Sequence, residues 1–439
     1  MHSLKLSRLC PLNGILVTRA DRIPVDDKCL DHPSSRTPSE NRMFRLTIAS
    51  QALLLVILGS VPLIVPAGDI SSTVSENRTE VAHKVATLRD PGALFVTFSA
   101  DSAKVVTAGI EDTLRVWTWQ HGDPSNHSLT MPATIGLSRA NIAITFSRDG
   151  RYIAATHASD IPDKTKPISL TNSSCRTIQI WNAKTERPLI DLDDLAAWCD
   201  AGGVAFSNSG ALLFVIEGGR PQLCPDKAYS VVVFSTTDWK RLWNICIEGS
   251  SPGQLAVSPD DKFIAIGGFR NVEVDKSARP HSPMFETHEL VAIVDIQTHR
   301  TVRVIDEALP DQFDIEALAW SPDGRRLAVG GGNRRGGGDS RTDALKIYDL
   351  RSGSIVLTEN SEYSDVRGIA YTSDGKYFIE GIVNKEVRIW DGSHKHLLQT
   401  FATGWGSPFE NVLTALAVSP DNRYLAVTQQ NGTTIYELK

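Results

Sequence analysis

An all-β fold of seven four-stranded antiparallel blades, closed into a ring by an N-terminal strand, is predicted by three observations. A two-strand unit with a polar turn recurs seven times along the 439 residues. Each copy is followed by a third strand in which apolar residues alternate with others. The chain ends one strand short in its last copy, and a candidate for that strand lies ahead of the first copy. Repeats of this kind predict a seven-bladed β-propeller.

The recurring unit is an apolar strand, a short turn that begins with Ser or Thr, and a second apolar strand. FVTFSADSAKVVTAG (95–109) and LAVSPDNRYLAVT (416–428) are its first and last copies. Successive turns lie roughly 45 to 65 residues apart, which fits one blade plus loop insertions. The first residues of the seven turns are Ser99, Ser147, Ser207, Ser258, Ser321, Thr372 and Ser419.

The third strands alternate aliphatic or β-branched residues with others, as in TLRVWTW (113–119) and EVRIWDG (386–392). A period of two predicts strands. A weaker fourth strand follows, and in the first blade we expect it at 128–134. Aromatic residues close every third strand except the one that carries Val294, and they are Trp117, Trp181, Phe234, Tyr348, Trp390 and Tyr436.

The last copy ends at Lys439 with its third strand. An open ring would expose strand edges that can pair with other chains. EVAHKVATLR (80–89) has the length and apolar spacing of an outer strand. We therefore expect this segment to complete the last blade and close the ring.

The turn motif and the third-strand sequence IWD (389–391), with its IWN and IYD variants, resemble the WD-repeat family of β-propellers over about residues 80–439. The repeats depart from that family because none has the Gly-His pair before its first strand. Without this His, we expect the hydrogen-bonded network of His, Ser or Thr, Asp and Trp to be missing, so that the blades rely more on core packing. By analogy, such divergence indicates a bacterial-type member.

The N-terminal region contains a run typical of an export signal. Residues 46–65 carry no charge and follow Arg42 and Arg45. Val65 and Ala67 fit the small-residue rule for signal-peptidase cleavage. We therefore expect an exported protein of the periplasm or the extracellular space.

Alternatives remain for this run. About 20 apolar residues can also span a bilayer as a retained anchor, although Pro62 interrupts them, and a buried core helix has no place in the ring. Because Met43 can itself begin an export signal, the polar segment before it is either a disordered leader or a start site assigned too far upstream. The expected organisation is leader 1–42, signal peptide or anchor 43–67, linker 68–79 and propeller 80–439.

Composition favours a globular body that does not bind nucleic acid. The net charge is −6, whereas a nucleic-acid surface normally shows a clustered basic stripe. A repeat ring is one cooperative unit, so we expect one domain and a monomer. The only membrane contact we expect is through the N-terminal segment, if it is not cleaved.

Four cysteines lie in the predicted ring: Cys175, Cys199, Cys224 and Cys246. An even number in an exported chain permits disulfides, and strand counting puts all four on one face. We favour pairing within each blade, Cys175 with Cys199 and Cys224 with Cys246, among three connectivities. They can equally be small buried apolar residues. A metal site is less expected because no Cys-x-x-Cys spacing occurs.

Signatures of catalysis or cofactor binding are missing from the sequence. Residues 249–253 (GSSPG) match a nucleophile elbow, but we expect them between two strands of a blade, whereas that chemistry needs a strand, a turn and a helix. We therefore expect no catalytic residue, no metal ligand and no cofactor. The alternative is a lactonase-like or quinoprotein-like propeller hydrolase or oxidoreductase with its site at the channel mouth. That alternative would require inward carboxylates and His residues from several blades.

The insertions between second and third strands are the candidate binding elements, because loops on a rigid scaffold usually carry binding. They occur in consecutive blades, two to five, at 157–175, 217–229, 268–289 and 331–343. The function we expect is a non-catalytic scaffold of the cell envelope that binds a protein or peptide on this loop-rich face, although the insertions can also be neutral surface loops. The candidate partner-binding residues are Arg270, Arg279, Phe285, Arg334, Arg335 and Arg341.

Overall fold

The described part of the chain is all β. The computed structural model describes residues 80–109, 114–120, 123–129, 143–159, 175–192, 203–218, 224, 229–247, 251–273, 285–308, 313–333, 343–360, 365–383, 386–402, 413–429 and 431–439. All of them lie in the second of two units into which the chain divides, residues 74–439. These residues form 28 strands and no helix.

The strands of the first half begin with β1 (Ala82–Leu88), which precedes blade one. Blade one contains β2 (Ala93–Phe98), β3 (Lys104–Gly109), β4 (Leu114–Thr118) and β5 (Ser125–Leu129). Blade two contains β6 (Ile144–Phe146), β7 (Tyr152–Ser159), β8 (Cys175–Asn182) and β9 (Pro188–Leu192). Blade three contains β10 (Val204–Phe206), β11 (Leu212–Gly218), β12 (Tyr229–Ser235) and β13 (Arg241–Ile247).

Three further blades and the last three strands make up the second half. Blade four contains β14 (Ser251–Val257), β15 (Phe263–Glu273), β16 (Phe285–Asp295) and β17 (Arg300–Ala308). Blade five contains β18 (Phe313–Trp320), β19 (Arg326–Asn333), β20 (Asp343–Asp349) and β21 (Ile355–Asn360). Blade six contains β22 (Val366–Tyr371), β23 (Tyr377–Ile382), β24 (Glu386–Asp391) and β25 (Leu397–Ala402). Blade seven contains β26 (Leu413–Val418), β27 (Tyr424–Gln429) and β28 (Gly432–Leu438), with β1 as its fourth strand.

The predicted seven-bladed propeller is confirmed. Each blade is an antiparallel sheet, with its strands in chain order in blades one to six and with β1 added after β28 in blade seven. The first strands of neighbouring blades contact one another around the ring. The outer strand of blade one begins at Ser125, three residues before the segment predicted for it. Tight pairing of Thr118 with Ser125 explains the earlier start.

The Ser or Thr that begins each turn fixes the hairpin between the first and second strands. In all seven turns its hydroxyl oxygen accepts a hydrogen bond of 2.8–3.0 Å from the backbone N–H five residues later. In blade one, Ser99 also donates to Asp101 at 2.6 Å, and this hydrogen bond lowers the pKa of the Asp101 carboxyl. The buried hydroxyl therefore accepts the hydrogen bond that the turn N–H would otherwise make to water. This need for an acceptor in every turn explains why the motif recurs.

The hydrophobic core lies between neighbouring blades. Phe214 and Ile216 of blade three pack with Ile264 and Ile266 of blade four. Trp181 of blade two is fully buried in a cluster with blade one. Burial of such side chains contributes about 1.5–3 kcal/mol each. The ring is therefore stabilised mainly at the surfaces where two blades meet.

The N-terminal strand closes the ring as predicted. β1 pairs with β28 from Ala82 opposite Leu438 to Leu88 opposite Thr433. The side chain of Gln399, on blade six, accepts hydrogen bonds from the N–H of Ala82 at 2.8 Å and donates to its carbonyl at 2.8 Å. Leu88 is fully buried in the cluster that joins blades seven and one. Residues far apart in sequence thus complete one sheet.

A tryptophan-centred hydrogen-bond network forms in blade one, although the sequence predicted none. Trp117 Nε1 donates to Thr107 Oγ1 at 2.9 Å, and the Thr107 hydroxyl donates to Asp90. Asp90 is buried, lies just before the first strand, and also pairs with Arg115. The expectation that a missing His precludes such a network was wrong here, because a carboxylate accepts the same hydrogen bond.

Candidate functional site

The ring has two faces of different construction. The turn face carries the hairpin turns between first and second strands, which begin at the seven Ser or Thr residues. The loop face carries the connections between second and third strands. Because the blades are antiparallel, these two sets of connections leave from opposite ends. The insertions predicted to bind a partner join β7 to β8, β11 to β12, β15 to β16 and β19 to β20, and so all belong to the loop face.

The insertion predicted at 268–289 is shorter than expected because much of it is strand. β15 continues to Glu273 and β16 begins at Phe285, and the two pair in register along this extension. The extended hairpin supports the remaining connection on an ordered ladder. Phe285, a predicted partner contact, is the first residue of β16 and lies opposite Glu273.

Arg270 is the one predicted arginine contact whose surroundings the structure describes. It lies on β15, and its guanidinium pairs with the Asp306 carboxylate of β17. His288 Nδ1 lies 2.8 Å from the other oxygen of Asp306. The three side chains therefore form a partly exposed cross-strand cluster, and Asp306 already neutralises Arg270. Four other predicted contacts lie outside the described residues: Arg279, Arg334, Arg335 and Arg341.

A disulfide joins Cys224 to Cys246, with Cα atoms 5.6 Å apart. This is the pairing favoured for blade three from the sequence. Asn244 Nδ2 lies 3.4 Å from the Cys224 sulfur. The bond links the connection after β11 to the outer strand of the same blade, near the loop face. Cys199 lies outside the described residues and Cys175 is the first residue of β8, so their pairing stays a prediction.

Buried charges are paired both between blades and within a blade. Lys346 Nζ of blade five lies 3.2 Å from Glu289 Oε2 of blade four, and the two side chains are 3% and 0% exposed. In blade six, Glu380 accepts hydrogen bonds from Trp390 Nε1 at 3.1 Å and from Arg388 Nη1 at 3.4 Å. The first pair joins two blades and the second set of contacts lies within one blade, and in both the loss of one partner would leave an uncompensated buried charge.

The surroundings of Glu380 raise the pKa of its carboxyl. Burial is the largest cause, and the nearby Glu359 carboxylate adds to it, so the pKa of Glu380 rises to about 7. Arg388 also reaches Glu359 at 3.2 Å and pairs with Glu386 at 2.6 Å. One guanidinium thus faces three carboxylates, and a proton on Glu380 relieves their repulsion.

A small cavity opens at the channel mouth on the turn face. Its volume is about 260 Å³, and its walls come from blades one, two, three, six and seven. Phe98, Phe146 and Tyr371 supply aromatic surface, and Arg148 and Asn208 supply polar groups. Sequence reasoning missed this site. The available signal was the second turn position, where Arg148 and Asn208 replace the Pro or small residues of the other blades.

Other predicted features can be placed within the described part of the chain. Ser251 of the elbow-like segment begins β14, so the segment joins blades three and four and does not lie inside one blade as expected. Pro252 pairs with Gly268 in that sheet. Within the described residues there is no group of three or more His, Cys, Asp or Glu side chains that could hold a metal ion. The same residues contain no helix long and apolar enough to cross a bilayer, and the run 46–65 lies outside them.

Comparisons with known proteins give distant relatives. The chain is 25% identical over 267 residues to SEC12-like protein 2 of Arabidopsis thaliana, a match that covers 59% of this chain and 54% of that protein. It is 32% identical over 85 residues to the intraflagellar transport protein 122 homolog of Xenopus tropicalis, covering 19% and 6%. It is 24% identical over 247 residues to Protein HIR1 of Chaetomium globosum, covering 53% and 21%. No protein-family model matches the chain.

These relatives are WD-repeat β-propeller proteins, and this chain is a seven-bladed β-propeller. The matched segment spans about half the length of the plant relative and much less of the others. The shared feature is therefore the repeat architecture. WD-repeat propellers are typically protein-interaction modules, and binding residues are disproportionately found on loops held by a rigid scaffold.

Proposed function

We propose that this chain is a non-catalytic interaction scaffold of the cell envelope, a divergent bacterial-type WD-repeat propeller that binds a protein or peptide partner on its loop face. The observation that carries the proposal is topological. The second-to-third-strand connections of four consecutive blades, two to five, all leave the ring on that face. Longer connections grouped on one side of a rigid ring form a continuous surface suited to a macromolecular partner.

Further features support the chemistry and the compartment. The arginines at 334, 335 and 341 lie among glycines, from which they can reach acidic groups on a partner by bidentate hydrogen bonds. The uncharged run 46–65 and the disulfide between Cys224 and Cys246 agree with export to an oxidising compartment, the periplasm or the extracellular space. The protein acts as a monomer, and no cofactor takes part.

The test is affinity capture from the native envelope with three forms of the full chain. The first is unchanged, the second carries Arg334→Ala, Arg335→Ala and Arg341→Ala, and the third carries three substitutions on the turn face as a charge-matched control. The control positions are Arg325 and Arg423, in the first-to-second turns of blades five and seven, and Arg351, in the third-to-fourth turn of blade five, which leaves from the same end of the sheet.

We expect the loop-face variant to lose the captured partner while the control keeps it, and the loss to be larger at low salt because screening is weakest there. Both variants should melt like the unchanged chain, since exposed substitutions usually cost within about 0.5 kcal/mol. Equal capture by the unchanged chain and the loop-face variant, or selective loss in the control, would place the partner site elsewhere.

A further inference from the structure

The side chains that line the cavity at the channel mouth on the turn face carry a net positive charge. Arg148 is the only permanently charged side chain among the described residues that line it, and no carboxylate is among them. Most Asp side chains of the neighbouring turns are turned back onto their own hairpins, whereas Asp261 accepts hydrogen bonds from Asn208 and Ser209 of blade three. Asp149, for example, accepts a hydrogen bond from Ser147 at 2.7 Å. Tyr371 stays a neutral phenol because burial raises its pKa. The cavity therefore favours an anion.

Arg148 is held in place by a relay of hydrogen bonds from two neighbouring blades. Its Nη1 donates to Asn208 Oδ1 at 2.8 Å. The Asn208 amide in turn donates to Asp261 Oδ1 at 2.9 Å and to the Ser258 carbonyl at 2.8 Å. This relay uses one guanidinium N–H and fixes the orientation of the Asn208 amide. The other N–H groups of Arg148 make no hydrogen bond within the described part of the chain.

The walls and the volume limit what the anion can be. Phe98, Phe146 and Val418 line the same cavity as Arg148 and give it apolar surface. The volume of about 260 Å³ corresponds to about nine water molecules. That space accepts one extended side chain or the last residue of a chain. A planar carboxylate on an apolar stem matches the guanidinium and the wall together.

We propose that the channel mouth on the turn face is a second binding site, which takes a peptide carboxylate against Arg148. The carboxylate belongs to an acidic side chain or to a free C-terminus, since both present the same group. The site lies on the face opposite the proposed partner surface and does not depend on it. The ring would then hold two peptide segments at once, one on each face.

The test uses three fluorescein-labelled hexapeptides of one apolar sequence, titrated against the full chain by fluorescence anisotropy. The first has an internal Glu and an amidated C-terminus, the second an internal Gln and a free C-terminus, and the third an internal Gln and an amidated C-terminus. We expect at least one carboxylate peptide to bind about tenfold more tightly than the third, because a hydrogen bond to a charged group is worth about that factor.

Two variants locate the effect. Arg148→Ala should abolish the preference for the carboxylate without changing the melting temperature, because Arg148 is exposed. Arg423→Ala removes another exposed arginine, from the turn of blade seven on the same face, and should keep the preference. The proposal fails if no peptide binds saturably, if the three peptides bind alike, or if both variants lose the preference equally. Comparison of the first two peptides identifies the source of the carboxylate.

Discussion

Closure of the ring by β1 gives the sharpest prediction about stability. The perturbation is Leu88→Ala, at a side chain that is 0% exposed between blades seven and one. Truncation of a buried Leu to Ala costs about 2–5 kcal/mol, from lost transfer free energy and the cavity left behind. The cluster around Leu88 contains large side chains, Phe98 and Trp117, that cannot collapse into the gap. We therefore expect about 3–4 kcal/mol.

The matched control is Val85→Ala, on the same strand but 42% exposed. It should change the free energy of unfolding by no more than about 0.5 kcal/mol. Both variants are measured by urea unfolding followed by tryptophan fluorescence, to which all nine tryptophans contribute, with Trp117 at the junction among them. Where the transition is not two-state, the midpoints are compared in place of free energies.

Two truncations test the same closure on a larger scale. A chain that begins at residue 69 keeps β1, whereas one that begins at residue 90 lacks it and exposes the edge of β28. The first should unfold like the full chain, and the second should lose most of its stability and aggregate through the open edge. Equal midpoints for the two truncations, or equal effects of Leu88→Ala and Val85→Ala, would refute the view that β1 closes the ring.

Three further predictions concern titratable groups and the disulfide. The pKa of Glu380 is raised from 4.5 to about 7, so its contribution to stability is present below pH 4.5 and is lost as the pH rises through 7. Glu380→Gln should therefore reduce the change in the free energy of unfolding between these pH values by on the order of 2 kcal/mol. An unchanged dependence of stability on pH would contradict this. Burial lowers the pKa of His394 from 6.5 to about 4, so its contribution to stability is present above pH 6.5 and is lost as the pH falls through 4. Asn tolerates the φ of 63° at this position. His394→Asn should therefore reduce the loss of unfolding free energy between pH 6.5 and 4 by about 1–2 kcal/mol, after allowance for partial solvent exposure. Changing both Cys224 and Cys246 to Ser opens a loop with a sequence separation of 22 and should cost about 3 kcal/mol. Reductant should destabilise the unchanged chain more than this variant, which keeps only the predicted pair of Cys175 and Cys199.

The sequence predicts the ring well because its signals are local and repeated. Period-two strands and the hydroxyl that begins each turn recur in every blade, so each copy supports the interpretation of the others. The closing strand follows from the same logic, since a missing strand and an unassigned apolar segment fit together. These features require no knowledge of which side chains meet across the ring.

The rest depends on contacts between distant residues. The sequence predicts a loop where β15 and β16 extend, because these residues do not alternate apolar with polar, yet the two strands pair there across the sheet. Asp90 was missed because a carboxylate in the place of His matches no motif. The channel mouth was missed because Arg148 and Asn208 meet only when blades two and three are adjacent.

The polar contacts between neighbouring blades differ from one blade junction to the next. This difference explains how blades of similar sequence take up a single order around the ring. The apolar faces of the blades are alike, so packing alone discriminates weakly between neighbours. Each junction adds a polar contact of its own. From the junction of blades one and two around to that of blades seven and one, these contacts are Lys104–Glu186, Arg148–Asn208, Asn208–Asp261, Lys346–Glu289, Arg388–Glu359, Ser373–Asn422 and Asp421–Ser102.

The buried pair at the junction of blades four and five separates specificity from stability. Lys346→Met removes the partner that Glu289 has in blade five and should cost about 3–5 kcal/mol, because the remaining charge is buried. Adding Glu289→Leu should recover most of that loss, since replacing a whole buried ion pair with apolar groups is often neutral. If the pair serves mainly to specify neighbours, the double variant will be stable but will refold more slowly or with more aggregate than the unchanged chain. Refolding yield after dilution from urea measures this, and a double variant that is stable and refolds normally would show that packing alone orders these two blades.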